Sequence, residues 1–174
     1  MLWLKTMGIV LVVSGFGSYG LMGARSIEKR VEQIRNVRLA MGFLEKEITY
    51  LHTPLPTALY RAAQSVPAPA RRLFSNCSLS LQDRQGITIT EAWMQSLEKL
   101  RYNSDLTDQD LQLLQSLSCQ MGMSGAEEQK KLFGLIQEQL KIQEEKARCE
   151  LESGRKIRSY GGFILGATVV LLLI

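Results

Sequence analysis

Histidine and cysteine, which carry much of the chemistry of enzymes and metal sites, are scarce in this 174-residue sequence. The one histidine is His52, and the three cysteines, Cys77, Cys119 and Cys149, lie far apart with no CxxC pair. The sequence also lacks a phosphate-binding GxxxxGK(S/T) loop and the nucleophile elbow of a hydrolase. These absences argue against a disulfide scaffold, a metal site of recognisable spacing and Ser-His-Asp catalysis. We therefore expect a protein that is not an enzyme and that uses no metal or cofactor.

Strand signals are also nearly absent. Only the segment LSLQDRQGITIT, residues 79–90, alternates between apolar and polar residues, and it is too short and isolated to form a sheet. Helical spacing is clear instead, because apolar residues recur at intervals of three and four residues from Ile27 to Leu51. Proline, acidic and capping residues then mark the starts of further helices. The predicted starts are Thr53–Pro54, Pro69, Thr90–Glu91, Thr107–Asp108, and a box formed by Ser124 and Glu127.

The two ends of the chain are apolar. No charge occurs from Met7 to Ala24, nor from Tyr160 to Ile174. The first stretch is long enough to span a bilayer, and the second is somewhat short for one. A cleaved signal peptide is the alternative for the first stretch, but Met22 would occupy a position that requires a small residue. A buried core helix is the alternative for the second. We predict transmembrane helices at residues 1–24 and 159–174.

Lysine and arginine gather in the segment between these ends, close to both of them. The positive-inside rule then places residues 25–158 in the cytosol as one domain, with both termini outside. The net charge of +4 is accounted for by this basic face against anionic headgroups, so no nucleic-acid partner is expected. Small residues four apart, Gly20 with Ala24 and Gly162 with Gly166, are candidates for helix packing in the membrane.

No proline separates either apolar end from the neighbouring helix of the domain. The sequence therefore predicts an all-α fold, a six-helix cytosolic bundle whose first and last helices continue into the N- and C-terminal transmembrane helices. Two non-enzyme functions fit such a chain: a membrane scaffold, or a signalling module that transmits a state through its helices. A sensor needs an outer domain or an output domain, and neither is evident, so the scaffold is the better interpretation.

Several segments, taken in order, resemble the stage III sporulation protein AB family of endospore-forming bacteria. They are LEKEITYLHTPLPTALYRAA, LFSNCSLSL, ITITEAWMQSLEKL, DLQLLQSLSCQMGMSGAEEQKKLF and YGGFILGATVVLLLI, and the similarity extends over essentially the whole chain. The family is related to inner-membrane platform proteins of type II secretion and type IV pilus machines, whose cytosolic domains are six-helix bundles. Those proteins carry two bundles and more spans, whereas this chain has one bundle.

The resemblance implies a scaffold role in the channel complex that links mother cell and forespore during engulfment. It places the protein in the mother-cell membrane, with a secretion-type ATPase and the other channel subunits as partners. An ATPase should dock away from the bilayer, and the far ends of the two long helices lie near Thr53 and Ser124. The segment from Arg101 to Asp105, with Tyr102 among charges at a turn there or along the sides, is the candidate partner-binding surface.

Overall fold

The described part of the protein is helical throughout. In the computed structural model the backbone is described for residues 2–83, 86–118 and 126–173, and the side chains for residues 25–83, 86–116 and 130–154. These ranges contain six α-helices and no strand, which confirms the predicted all-α fold. The helices are α1 (Leu2–Thr49), α2 (Leu55–Gln64), α3 (Ala70–Gln82), α4 (Ile89–Arg101), α5 (Asp108–Ser118) and α6 (Ala126–Leu173).

The chain divides into two compact units. One comprises Met1–Lys29 with Ala147–Ile174, and the other comprises Arg30–Lys146 and holds the bundle core. α1 and α6 are each 48 residues long and contribute to both units. Among the residues whose side chains the structure describes, no helical stretch is both long enough and apolar enough to cross a membrane. The side chains of the two segments that were predicted to span a membrane lie outside the described residues. They include the four small residues predicted to pack helices together, Gly20, Ala24, Gly162 and Gly166.

The middle of the apolar stripe predicted on α1 forms one wall of the core, whereas its last residue, Leu51, lies beyond the end of the helix at Thr49 and is 63% exposed. Ile34, Val37, Met41 and Leu44 are at most 2% exposed, as expected for residues three and four apart that face the same side of a helix.

α6 packs against α1 and runs antiparallel to it in the Arg30–Lys146 unit. Arg38 Nε donates to Glu144 Oε2 at 2.9 Å, and Gln137 Nε2 donates to the Arg38 carbonyl at 3.1 Å. Gly42 lies beside Gln137, so closely that an added Cβ would stand 2.9 Å from Gln137 Nε2. Residue numbers therefore rise along α1 as they fall along α6, so Arg30 and Lys146 lie at the same end of this unit.

The four short helices pack one on the next in chain order, α2 on α3, α3 on α4 and α4 on α5. Trp93 is fully buried and meets the Phe74 ring edge to face, with centroids 5.6 Å apart. Its Nε1–H donates to the Leu114 carbonyl at 2.8 Å, which satisfies the one polar group of the indole and joins α4 to α5.

Two of the predicted helix starts were misplaced. Thr53 does not cap α2, because its hydroxyl donates to Glu47 Oε2 at 2.8 Å instead. α4 is capped by Thr88 rather than Thr90: the Thr88 hydroxyl accepts from the Glu91 N–H, and the Glu91 carboxylate accepts from the Thr88 N–H at 2.9 Å. A Thr-x-x-Glu pattern, overlooked in the sequence, encodes this capping box.

The remaining starts agree with the structure where it describes them. α3 follows Pro69, and α5 begins at Asp108 with Thr107 before it, as predicted. The box of Ser124 and Glu127 lies outside the described side chains.

Candidate interaction surface

The turn that joins α4 to α5 presents the residues singled out as a partner-binding candidate. Tyr102 is 79% exposed, more than any other large apolar or aromatic residue among the described side chains. Arg101 Nη2 and Asp108 Oδ1 form an ion pair at 2.8 Å across the mouth of the turn, and both side chains are more than half exposed. An exposed pair of this kind contributes little to stability, so its groups are available for exchange with a partner.

Asp105 differs from its neighbours because it is held against α1. Its backbone N–H donates to Gln33 Oε1 at 2.9 Å, and Gln33 Nε2 donates to Asp105 Oδ2 at 3.3 Å. Gln33 itself is buried. Asp105 therefore positions the turn, while Arg101 and Tyr102 carry its exposed surface.

A buried ion pair fixes the start of α5 just beyond this turn. Arg30 Nε donates to Asp110 Oδ2 at 2.7 Å and Nη2 donates to Oδ1 at 3.1 Å, with side chains 7% and 4% exposed. Asp110 Oδ2 also accepts from the N–H and the hydroxyl of Thr107. Burial raises the pKa of Asp110, but the hydrogen bonds from Arg30 and Thr107 outweigh it and hold this pKa below its ordinary value.

These contacts establish which end of the bundle carries the turn. Gln33 lies roughly 24 Å along α1 from Thr49, at 1.5 Å per residue. The turn is therefore near the end where Arg30–Lys146 begins, and not at the Thr53 end that was expected to be far from the bilayer. Any partner that touches Tyr102 would contact the bundle near the Arg30 end of this unit.

A groove of about 320 Å³ runs between α4 and α5, away from the turn. The Arg101–Asp108 ion pair lies at one end, and Met94 with Gln115 at the other. Leu97 and Leu111 supply apolar lining, while Glu98 and Gln112 supply polar groups. We name this the α4–α5 groove.

A second polar cluster, at the far end of α1, was missed from the sequence. Glu47 is buried and accepts from Thr53 Oγ1 and, at 3.0 Å, from Arg61 Nη1. The Thr53 N–H also donates to the Glu47 carbonyl at 2.9 Å, and His52 between them has a φ of 50°. The sequence contained one indication of this cluster. Glu47, like Arg30, occupies a core-facing position of the α1 stripe, where a charged residue requires a partner.

The residue types that could perform chemistry are dispersed. His52 is exposed at the α1–α2 turn, and Cys149 is exposed on α6. Burial raises the pKa of the Cys77 thiol to about 12, which makes this thiol unreactive. Cys119 lies outside the described residues. Over the described side chains, no group of three or more His, Cys, Asp or Glu residues has an arrangement that could hold a metal ion.

The six helices of the described residues define the class of the protein: an all-α helical bundle. The sequence matches the family model of stage III sporulation protein AB over residues 5–174, and the chain belongs to this family. The stage III sporulation protein AB of Bacillus subtilis (strain 168) is 32% identical over 170 residues, which cover 98% of this chain and 99% of that protein. A solved structure of stage III sporulation protein AB superposes with a TM-score of 0.67 at 32% identity, covering 71% of this chain and 97% of the solved one. The resemblance noted in the sequence is thereby confirmed.

Proposed function

We propose that this sporulation protein is a non-catalytic scaffold of the mother-cell membrane that docks a cytosolic secretion-type ATPase in the channel complex linking mother cell and forespore. The observation that supports it is the course of the two long helices. Within the Arg30–Lys146 unit the two helices run antiparallel, so Arg30 and Lys146 lie at the same end of that unit, and each helix continues into a charge-free terminal sequence. This arrangement suits a bundle held against a bilayer by two helices, with residues 1–24 and 159–174 as its spans and the other channel subunits beside it.

The α4–α5 groove and the neighbouring turn form the proposed docking surface. Arg101 and Tyr102 are exposed there, and arginine and tyrosine are enriched where binding energy concentrates in interfaces. Asp105 contributes indirectly, because its contacts with Gln33 fix the position of the turn. The groove is lined by α4 and α5, so the ATPase would contact these two helices, near the Arg30 end of the unit.

The surface can be tested by recruitment of the ATPase to membranes that contain the full chain. Arg101→Glu combined with Tyr102→Ala should lower recruitment by about tenfold or more, as expected for loss of an arginine and an aromatic anchor. The matched control is Arg72→Glu with Tyr60→Ala, which alters an exposed arginine and a half-exposed tyrosine on α3 and α2. The control should recruit normally. Equal recruitment of the ATPase by both double variants would show that the docking surface is not on α4 and α5.

A second pair of variants separates docking from membrane insertion. Lys156→Glu with Arg158→Glu reverses charges just before the proposed second span and should disturb insertion or orientation. Arg101→Glu with Tyr102→Ala should insert normally. A docking variant that fails to insert would show that its lost recruitment has a different cause.

The alternative is a membrane-anchored signalling or adaptor bundle with no ATPase partner. It predicts that recruitment is absent for the unmodified chain as well.

A further inference from the structure

α1 and α6 together present an exposed apolar surface in the Arg30–Lys146 unit. Leu39 and Phe43 of α1 and Leu135 and Ile142 of α6 are between 38% and 64% exposed. Among the described side chains, α2 and α3 each carry one exposed residue of this size and apolar or aromatic character, and α4 and α5 carry none. We name the four residues on α1 and α6 the α1–α6 outer face.

These four side chains point to the same side of the two helices, away from the core. Along residues 41–43 of α1 the first is buried, the second contacts Gln137 of α6, and the third is exposed. Residues 136–138 of α6 follow the same order of buried, contacting and exposed positions. Successive residues turn by about 100° around a helix, so in two antiparallel neighbours this order puts the buried residues on one side and the exposed residues on the other.

Contacts between α1 and α6 fix which of their residues are level with each other. Arg38 bonds to Glu144, and Gly42 lies against Gln137. Counting from these contacts at about 1.5 Å per residue, each of five exposed pairs lies within about one turn of the same level. The pairs are Glu32 and Lys146, Arg35 and Glu145, Leu39 and Ile142, Phe43 and Leu135, and Lys46 and Glu138.

Three of these pairs join opposite charges, and the other two join apolar side chains. All six charged side chains are exposed. Of the other exposed charges nearby, Lys141 lies between Glu138 and Glu145 on α6, within one turn of each. Lys131 lies near the level of Tyr50, and Glu28 belongs to the other unit. The outer sides of α1 and α6 therefore complement each other in charge and in apolar character, level by level.

A second copy can use this complementarity without any shift along the helices. A two-fold axis parallel to α1 and α6 keeps every residue at its level and brings two outer faces together. α1 of one copy then lies antiparallel to α6 of its partner, and the reverse contact forms at the same time.

We propose that this chain forms such a two-fold dimer through its α1–α6 outer face. Leu39 packs against the partner's Ile142, and Lys46 meets the partner's Glu138. The apolar residues supply the contact area, and the three charge pairs, each present twice, set the register.

The charges disfavour the other two-fold arrangements of this face. An axis perpendicular to the helices pairs α1 with α1 and α6 with α6, both antiparallel. Glu32 then meets the partner's Lys46, but with Ile142 at the centre Glu138 lies opposite the partner's Glu145. A parallel contact of α1 with α1 brings Arg35 and Lys46 each against its own equivalent, and like charges oppose such a contact.

The dimer is compatible with the proposed function but does not rest on it. The Arg30 ends of both copies lie at the same end of the dimer, as two copies anchored in one bilayer require. None of the residues that line the α4–α5 groove belongs to the outer face, so each copy keeps its proposed docking surface.

Crosslinking between differently tagged chains tests the dimer. Two full-length chains with native cysteines replaced by serine are co-expressed, one with Leu39→Cys and the other with Ile142→Cys. A short bis-maleimide should join the two tags, and any product that carries both tags links two copies. Two chains with Leu39→Cys should crosslink far less. Leu79→Cys with Ile142→Cys is the matched control and should give no product, although Leu79 is 57% exposed on α3.

Charge reversal tests the register of the dimer. Lys46→Glu in both chains should lower the yield of the product between positions 39 and 142 by about tenfold, because it sets like charges opposite each other at two places. Adding Glu138→Lys should restore the yield. Lys99→Glu reverses an exposed lysine on α4 and should leave the yield unchanged.

Three results would each overturn the proposal. One is the absence of a product between positions 39 and 142, whether or not position 39 links to another protein. Another is an equal or higher yield between two chains with Leu39→Cys, which indicates contact of α1 with α1. The third is a Lys46→Glu variant that keeps its yield or that Glu138→Lys does not restore. Recruitment of the ATPase is measured separately, so its failure is distinguishable from these results.

Discussion

The buried ion pair between α1 and α5 makes a quantitative prediction about stability. Arg30 and Asp110 are joined by two hydrogen bonds, of 2.7 and 3.1 Å, and are almost completely buried. Removing one member of such a pair leaves the other charge without compensation, at a cost of about 3–5 kcal/mol. Asp110 would keep its two hydrogen bonds from Thr107, so Arg30→Met should fall at the low end, near 3 kcal/mol.

The free energy of unfolding is measured by denaturant titration of the full chain in detergent micelles, followed by helical circular dichroism. Arg30→Met combined with Asp110→Leu removes both charges, and it should cost at least about 2 kcal/mol less than the sum of the single variants. The exposed Arg101–Asp108 pair is the control, and Arg101→Met should cost at most about 1 kcal/mol. A cost of Arg30→Met no greater than that of the control, or strict additivity in the double variant, would refute the reasoning.

Three further predictions concern individual side chains. Because the pKa of Asp110 is lowered in the folded protein, its contribution to stability is complete above about pH 4 and is lost as the pH falls through the folded-state pKa. An acid titration in which the Asp110→Asn variant loses stability to the same extent would contradict this. Cys149 should react rapidly with a maleimide in the native protein while Cys77 reacts only on unfolding; prompt native labelling of Cys77 would contradict its burial. Trp93→Phe should cost about 1–3 kcal/mol in chemical denaturation, since it leaves the Leu114 carbonyl without its buried donor, and a neutral effect would show that this bond contributes nothing.

The fold class was accessible from the sequence because helical periodicity is a local property. The α1 stripe of Ile34, Val37 and Met41 follows from spacing alone, and α5 begins where Thr107 and Asp108 predict. The helix caps were harder to predict, since Thr88 and Thr90 both precede a helical pattern, and only the glutamate three residues after Thr88 distinguishes the two.

The candidate surface was only partly predictable. Arg101 and Tyr102 were noticed for their composition at a turn, and they are exposed. Which end of the bundle holds that turn depends on Gln33, more than seventy residues earlier in the chain, and no local pattern encodes a contact over that separation. The α4–α5 groove is likewise a tertiary feature, produced by the packing of two helices.

The proposed function requires that the bundle be held at a membrane, with residues 25–158 in the cytosol. Single cysteines are placed at Leu2, Asn103 or Ile174 in a chain whose native cysteines are replaced by serine, and intact cells are treated with a maleimide that does not cross membranes. We expect labelling at positions 2 and 174 and none at the exposed position 103 until the cells are opened. Labelling at position 103 in intact cells, without labelling at the two ends, would contradict it.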